Sequence, residues 1–353
     1  MSTPVTDRAA DLVPVPRARH HWMDLVRGTA ILLVVLLHLE ILQGIWDGDT
    51  PRALVVLAQA ATPFRMPMLL FVSGMLLPRS LKKPPGRFLE GKARNLLWPW
   101  LVWSVVLGAT QLFESSAEPL WWINGMYTWF LMALLSYYVV GLLLKRVPPG
   151  WVAIASIVVW TAAPLFGVSP DLYGLRPDKF VYYAVFFFAG AALGRTLLAR
   201  KVPLAVAVPG IVVAMIWAVL AVRANGEPQI PVLDQVVVII GILGAIGVAQ
   251  RLPRVRPVRA LEWMGRSSIV MYVVHLPVLE ILTRYLPLPD GLPGALILGT
   301  VTLGACIGAV HLRPRTPWLY VFPDLRRRRG AADGDGGGAA SGAARHRPDP
   351  VSP

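Results

Sequence analysis

Ten apolar runs interrupt an otherwise basic chain, at about residues 27–45, 53–78, 96–113, 129–144, 151–168, 180–198, 202–222, 232–249, 267–285 and 293–311. Each approaches the roughly 17–25 residues that an α-helix needs to cross a bilayer. Hydrocarbon offers no water to a free backbone N–H or C=O, so such runs are read as helices that close their own hydrogen bonds. Composition agrees: 55% of the residues are hydrophobic and 15% charged, where a soluble domain carries roughly 45–50% and a quarter. The expected fold is an all-α polytopic membrane bundle of about ten transmembrane helices.

The basic residues orient that bundle. Lys plus Arg number 34 against 20 Asp plus Glu, a formal charge of +14. So basic a balance could serve nucleic acid, but these cations sit in short blocks between apolar runs, which suits a cytoplasmic membrane surface. With ten spans and an inside N-terminus, 28 of the cations fall in inside segments or at the span edges beside them, 5 likewise on the outside and one, Arg65, deep within a span. A segmentation wrong by one span would scramble this asymmetry. Both termini are therefore expected in the cytoplasm.

Three regions follow: a cytoplasmic tail over 1–21, a membrane domain over 22–318 and a basic, Gly/Ala-rich tail over 319–353 expected to be disordered. The first run is too long, and lacks the small-residue cleavage site, to be a signal peptide; it reads as an uncleaved first span. The single cysteine, Cys306, excludes a disulfide framework. High Ala, Arg, Pro and Gly content points to a GC-rich bacterial genome, hence a bacterial plasma membrane. No solenoid period and no inverted repeat is visible.

An ionisable residue inside a membrane is costly and is a functional candidate by default. Arg27, His38, Glu40, Arg65, His275 and Glu280 make up that set. Arg27 and His38 are eleven residues apart, about 16 Å of helical rise and within about 20° of the same direction. Asp24 shares that face. Taken singly, Arg27 also reads as a positive-inside anchor and His38 as an interhelical histidine. Arg65 lies more than a turn inside the second span between Pro63 and Pro67, where the helix should be distorted; its structural reading is a partner for Glu40 or Glu280. His275 should lie at the depth of His38, with Tyr272 one turn away; as a lone histidine it reads first as structural. His275 and Glu280 diverge by about 140°, so HLPVLE is not a catalytic His-acid pair.

Four passages, in order, resemble the membrane-bound acyltransferase family 3, the O-acyltransferases of surface polysaccharides and some small molecules. WMDLVRGTAILLVVLLH is similar to its first-span signature, and FRMPMLLFVSGMLL to its second span with Arg65 at a frequently basic position. WFLMALLSYY from Trp129 and GRSSIVMYVVHLP are similar to two later spans. The resemblance implies a cytoplasmic acyl-CoA donor, with acetyl-CoA the first expectation, and a sugar-containing or small-molecule acceptor toward the outer side. It points to Arg27, His38 and Arg65 as the functional set. On that basis Arg27, Arg79, Lys82 and Lys83 would neutralise the donor's phosphates. His38 would be general base or acyl carrier, and Arg65 would stabilise the oxyanion. Asp24 would orient Arg27. Trp121, Trp122 and Trp129 would stack on a sugar, or form an interfacial belt. No metal, no resident cofactor and no nucleic acid is expected. The competing activity is a secondary transporter or flippase of a lipid-linked sugar, whose buried charges would be substrate sites and whose proline-broken helices would be hinges; a non-catalytic scaffold leaves Arg65 without a purpose.

Overall fold

The computed structural model describes residues 20–46, 50–110, 128–166, 177–226 and 230–323. All ten apolar runs carry helices. We label them α1 (His21–Trp46), α2 (Arg52–Gly74), α5 (Trp98–Thr110), α6 (Trp129–Leu143), α7 (Pro149–Ala162), α8 (Pro177–Ala199), α9 (Leu204–Arg223), α10 (Leu233–Ala249), α12 (Ser268–Tyr285) and α13 (Gly291–Leu312). Between them lie the shorter α3 (Leu77–Ser80), α4 (Pro85–Lys92) and α11 (Arg256–Arg266). Among the described residues, seven helices are long and apolar enough to cross a membrane, and α6 and α10 are shorter apolar helices. The chain is a multi-pass helical membrane protein.

The helix ends sort into two sets. Gln250, after α10, bonds Val202 N and Leu197 O, and Arg251 donates to Val202 O at 2.6 Å. Trp98 and Trp103 donate to the carbonyls of Trp318 and Leu319. All these segments belong to the Arg/Lys-rich side of the sequence count, and they meet at one end of the bundle, the basic end. At the other end Gln43 donates to Gly291 O at 2.7 Å.

Helix α11 had no apolar run to announce it. One side of it is buried and the other basic: Val258, Glu262 and Gly265 are buried while Arg256, Arg259 and Arg266 are exposed. Arg254 grips Glu262 through three hydrogen bonds of 2.7–3.2 Å, and His21 lies 3.4 Å from the same carboxylate. Those bonds hold the Glu262 carboxyl below its usual range. The inner face of α11 lies against α1. A side chain on Gly28 would collide with the Leu261 carbonyl, and one on Gly265 with the Asp24 carbonyl. Only two facing glycines let these backbones come so close, as small residues do between membrane helices. The second close approach joins α2 to α8, where Gly74 meets the Phe187 carbonyl and Gly190 the Phe71 carbonyl.

The Gly28–Gly265 contact sets the height of α12 against α1. Gly265→Leu should cost at least about 1–3 kcal/mol through overpacking. In detergent this should appear as a lowered melting temperature or lost monodisperse protein, whereas Gly86→Leu, at a glycine with open space around it, should leave both unchanged.

Candidate active site

Helix α1 is continuous from His21 to Trp46, so Arg27 and His38 share a face three turns apart. His38 meets His275 of α12: the two rings stand edge to face with centroids 4.9 Å apart. His275 Nδ1 is 3.1 Å from Met271 O. His38 Nδ1 is 2.9 Å from Val34 O and 3.2 Å from His275 Nε2. The acceptors assign the protons. A carbonyl can only accept, so in the neutral rings each Nδ1 carries the hydrogen. The His38 Nδ1–H then points between Val34 O and the His275 Nε2 lone pair. His38 Nε2 is left as the basic nitrogen. The pairing makes His275, fully buried, the residue that fixes the tautomer of His38, while His38 itself keeps some accessible surface. Tyr272 packs beneath, 6.0 Å from the His275 ring and 5.3 Å from Phe130, with its hydroxyl bonded to the Phe130 backbone.

Arg65 lies on α2, which stays helical through Pro63 and Pro67 rather than breaking. Those prolines withdraw the N–H groups that would cap the carbonyls of residues 59 and 63. Arg65 Nη1 donates to Thr62 Oγ1 at 2.7 Å, and Thr62 in turn donates to Ala58 O at 2.9 Å. The guanidinium acts electrostatically on both His38 and Glu40. Glu40 thus shares Arg65 with His38, although its two-residue offset turns it away from His38 on α1. Glu280 and Asp24 are buried.

Toward the basic end, Arg27 lies within electrostatic reach of Tyr138. The Tyr138 hydroxyl donates to Ser73 O at 3.0 Å, and Lys92 Nζ sits 3.2 Å above its ring. Tyr138, Lys92, Lys83, Ser80 and Asn95 line a cavity of about 270 Å³. Of the expected phosphate-binding cations, Lys83 enters this cavity, Lys82 lines a separate one, and Arg79 is exposed without lining either. Lys92 was missed in the sequence because it falls in a loop block indistinguishable from other surface cations. Burial, and secondarily the charge of Lys83, brings the Lys92 ammonium down to about 8.

At the opposite end Trp129 stacks on Tyr183 at 5.1 Å, and Tyr183 meets Tyr182 edge-on. The Tyr182 hydroxyl donates to Asp234 Oδ2 at 2.5 Å and Trp217 Nε1 to Asp234 Oδ1 at 3.0 Å. Next to it Gln235 is fully buried with neither amide atom hydrogen-bonded. Asp234 and Gln235 were not singled out from the sequence; a polar pair heading an apolar run is the signal that could have found them. Trp121 and Trp122 lie outside the described residues. Among the described residues, no group of three or more His, Cys, Asp or Glu is placed to hold a metal ion.

A model of the acyltransferase domain of acyltransferase family 3 matches residues 20–311. No curated protein and no solved structure matches the chain.

A lysine titrating near 8 loses half its charge within the physiological range. With lysines reductively ¹³C-methylated, one NMR resonance, absent from Lys92→Arg, should titrate near 8, about two units below the ordinary lysine value. It should move upward in Lys83→Gln. A Lys92 resonance at the ordinary value would remove the burial assigned to it.

Proposed function

The chain belongs to acyltransferase family 3, and on that premise we propose that it is a bacterial plasma-membrane O-acyltransferase. It would move an acetyl or similar acyl group from cytoplasmic acyl-CoA to a hydroxyl of a sugar-containing or small-molecule acceptor on the outer side. The reading is supported above all by the convergence of His38, His275 and Arg65 inside the bundle, with a separate cavity lined by Lys83 and Lys92.

Acyl-CoA enters from the basic end, where Lys83, Lys92 and Arg27 offer charge to its phosphates. Arg27 to His38 spans about 16 Å along α1, a distance suited to the extended pantetheine arm. At the centre, His38 Nε2 accepts the proton of the acceptor hydroxyl as the oxygen attacks the thioester carbonyl. The C–S bond then breaks, and the imidazolium returns the proton to the departing CoA thiolate. His275 accepts the hydrogen bond of His38 Nδ1–H throughout, keeping Nε2 aimed at the acceptor. Arg65 faces the oxyanion, where a fixed cation in a dry site contributes most. Trp129 and Tyr183, with the Asp234–Gln235 head of α10, form the acceptor's approach from the opposite end. Family membership gives this activity precedence over transport.

The test uses inverted membrane vesicles, which present the cytoplasmic face, supplied with acetyl-CoA. Release of CoA thiol is read with a thiol reagent; Cys306, fully buried, does not interfere. At matched expression, His38→Ala should lower the rate about 10²–10⁴-fold and Arg65→Ala about 10²–10³-fold. His275→Ala leaves the base present but misdirected and should lie between wild type and His38→Ala. A wild-type rate in His38→Ala would end the base assignment, and substrate flux without CoA release would favour transport.

A further inference from the structure

The larger of these two cavities, about 430 Å³, opens at the basic end between α3 and the turn after it, the end of α6, the start of α7 and α8. It is built of two unlike parts. Leu81, Leu144, Val147 and Ala192 form an apolar wall with accessible surface, and Lys82, Lys145 and Arg195 bring three cations from three separate segments of the chain. No acidic side chain lines it, and among the described residues no ion pair occupies any of the three. Three like charges gathered at one opening repel one another unless an anion joins them. The cavity also lies at a weak seam: α7 packs chiefly on α8, while its outward face, with Trp151, Ile154 and Val158, is exposed.

We propose that this cavity is a binding site for an anionic phospholipid. Its headgroup phosphate lies among Lys82, Lys145 and Arg195, and one acyl chain runs along Leu81, Leu144, Val147 and Ala192, joining the segment after α3 to the α6–α7 turn and α8. A free phosphate or the nucleotide of a donor would match the cations and leave the apolar wall uncovered. A zwitterionic lipid would cover the wall and carry an ammonium group among three cations. Only an amphiphile with net negative charge satisfies both parts. The site is separate from the His38 centre and from the Lys83–Lys92 cavity, and its occupancy does not depend on which acceptor the enzyme uses.

The experiment takes the full chain in mild detergent and titrates it with phosphatidylglycerol or phosphatidylcholine in mixed micelles. Binding is read by native mass spectrometry and melting temperature. Phosphatidylglycerol should bind at least about tenfold more tightly than phosphatidylcholine and should raise the melting temperature. Lys82→Gln, Lys145→Gln and Arg195→Gln should each weaken it about fivefold, and the triple variant roughly a hundredfold. Arg79→Gln, which removes an equal charge outside the cavity, should not. Ala192→Trp keeps every cation but fills the groove, and should also lose the lipid, so the proposal does not rest on the charge variants folding. Equal binding of the two lipids to the unaltered chain, retention of phosphatidylglycerol by the triple variant, or its competitive displacement by adenosine 3′,5′-bisphosphate would each overturn the proposal; the last would give the cavity to the acyl donor.

Discussion

A polar group in hydrocarbon must bring its own partner, and that constraint runs through this bundle from backbone to active centre. It explains why the apolar runs are helices, and why Thr62, Ser73, Ser156 and Thr283 each turn back to a carbonyl four residues earlier. It also explains the histidines. An imidazole has one donor and one acceptor when neutral, and a single backbone carbonyl satisfies only the donor. His275 uses the Met271 carbonyl for its hydrogen and offers its remaining nitrogen to His38. Pairing two rings leaves one basic nitrogen over, on the part-exposed member. The same rule that stabilises the pair therefore exposes a base at a defined place.

That base depends on features far from it. The Gly28–Gly265 approach draws α11 and the start of α12 onto α1, and this fixes where His275 meets His38. Glu262, clamped by Arg254 and facing His21, ties the same corner at the membrane surface. Arg65 arrives from α2, whose own position is set by the Gly74–Gly190 approach to α8. Helices α1 and α2, each drawn close to a neighbour by facing glycines, and α12, packed through bulky side chains, bring an imidazole pair and a guanidinium together. Two of the passages that resemble the family signature, those around Gly28 and Gly265, carry this packing as well as the chemistry.

The cations divide by depth and surroundings. Lys83 and Lys92 share a cavity whose wall includes Tyr138, and Arg27 lies within electrostatic reach of that tyrosine. Lys82, one residue from Lys83, faces a different cavity with Lys145 and Arg195. Adjacent residues in a turn point in different directions, which is how one basic block serves two anions. The Tyr138 ring, beneath Lys92 at 3.2 Å, favours an ammonium there through its π-face.

The sequence by itself determined the helical membrane class, the positions of ten apolar segments and the alternation of basic and neutral loops, because hydropathy and charge are summed locally along the chain. It also offered Arg27, His38, Glu40, Arg65, His275 and Glu280, because charge inside an apolar run is conspicuous wherever the helix packs, and the family resemblance narrowed these to Arg27, His38 and Arg65. It could not decide that His275 pairs with His38, that Arg65 reaches both His38 and Glu40, or that Lys82 and Lys83 part company. The tilt and height of each helix decide these, and facing glycines in distant segments set them. Asp234 and Gln235 were visible as polar residues at the head of α10, but their partners Tyr182 and Trp217, or the lack of one, exist only once α8, α9 and α10 are side by side. Periodicity fixes which residues share a helix face; only tertiary packing decides what that face meets.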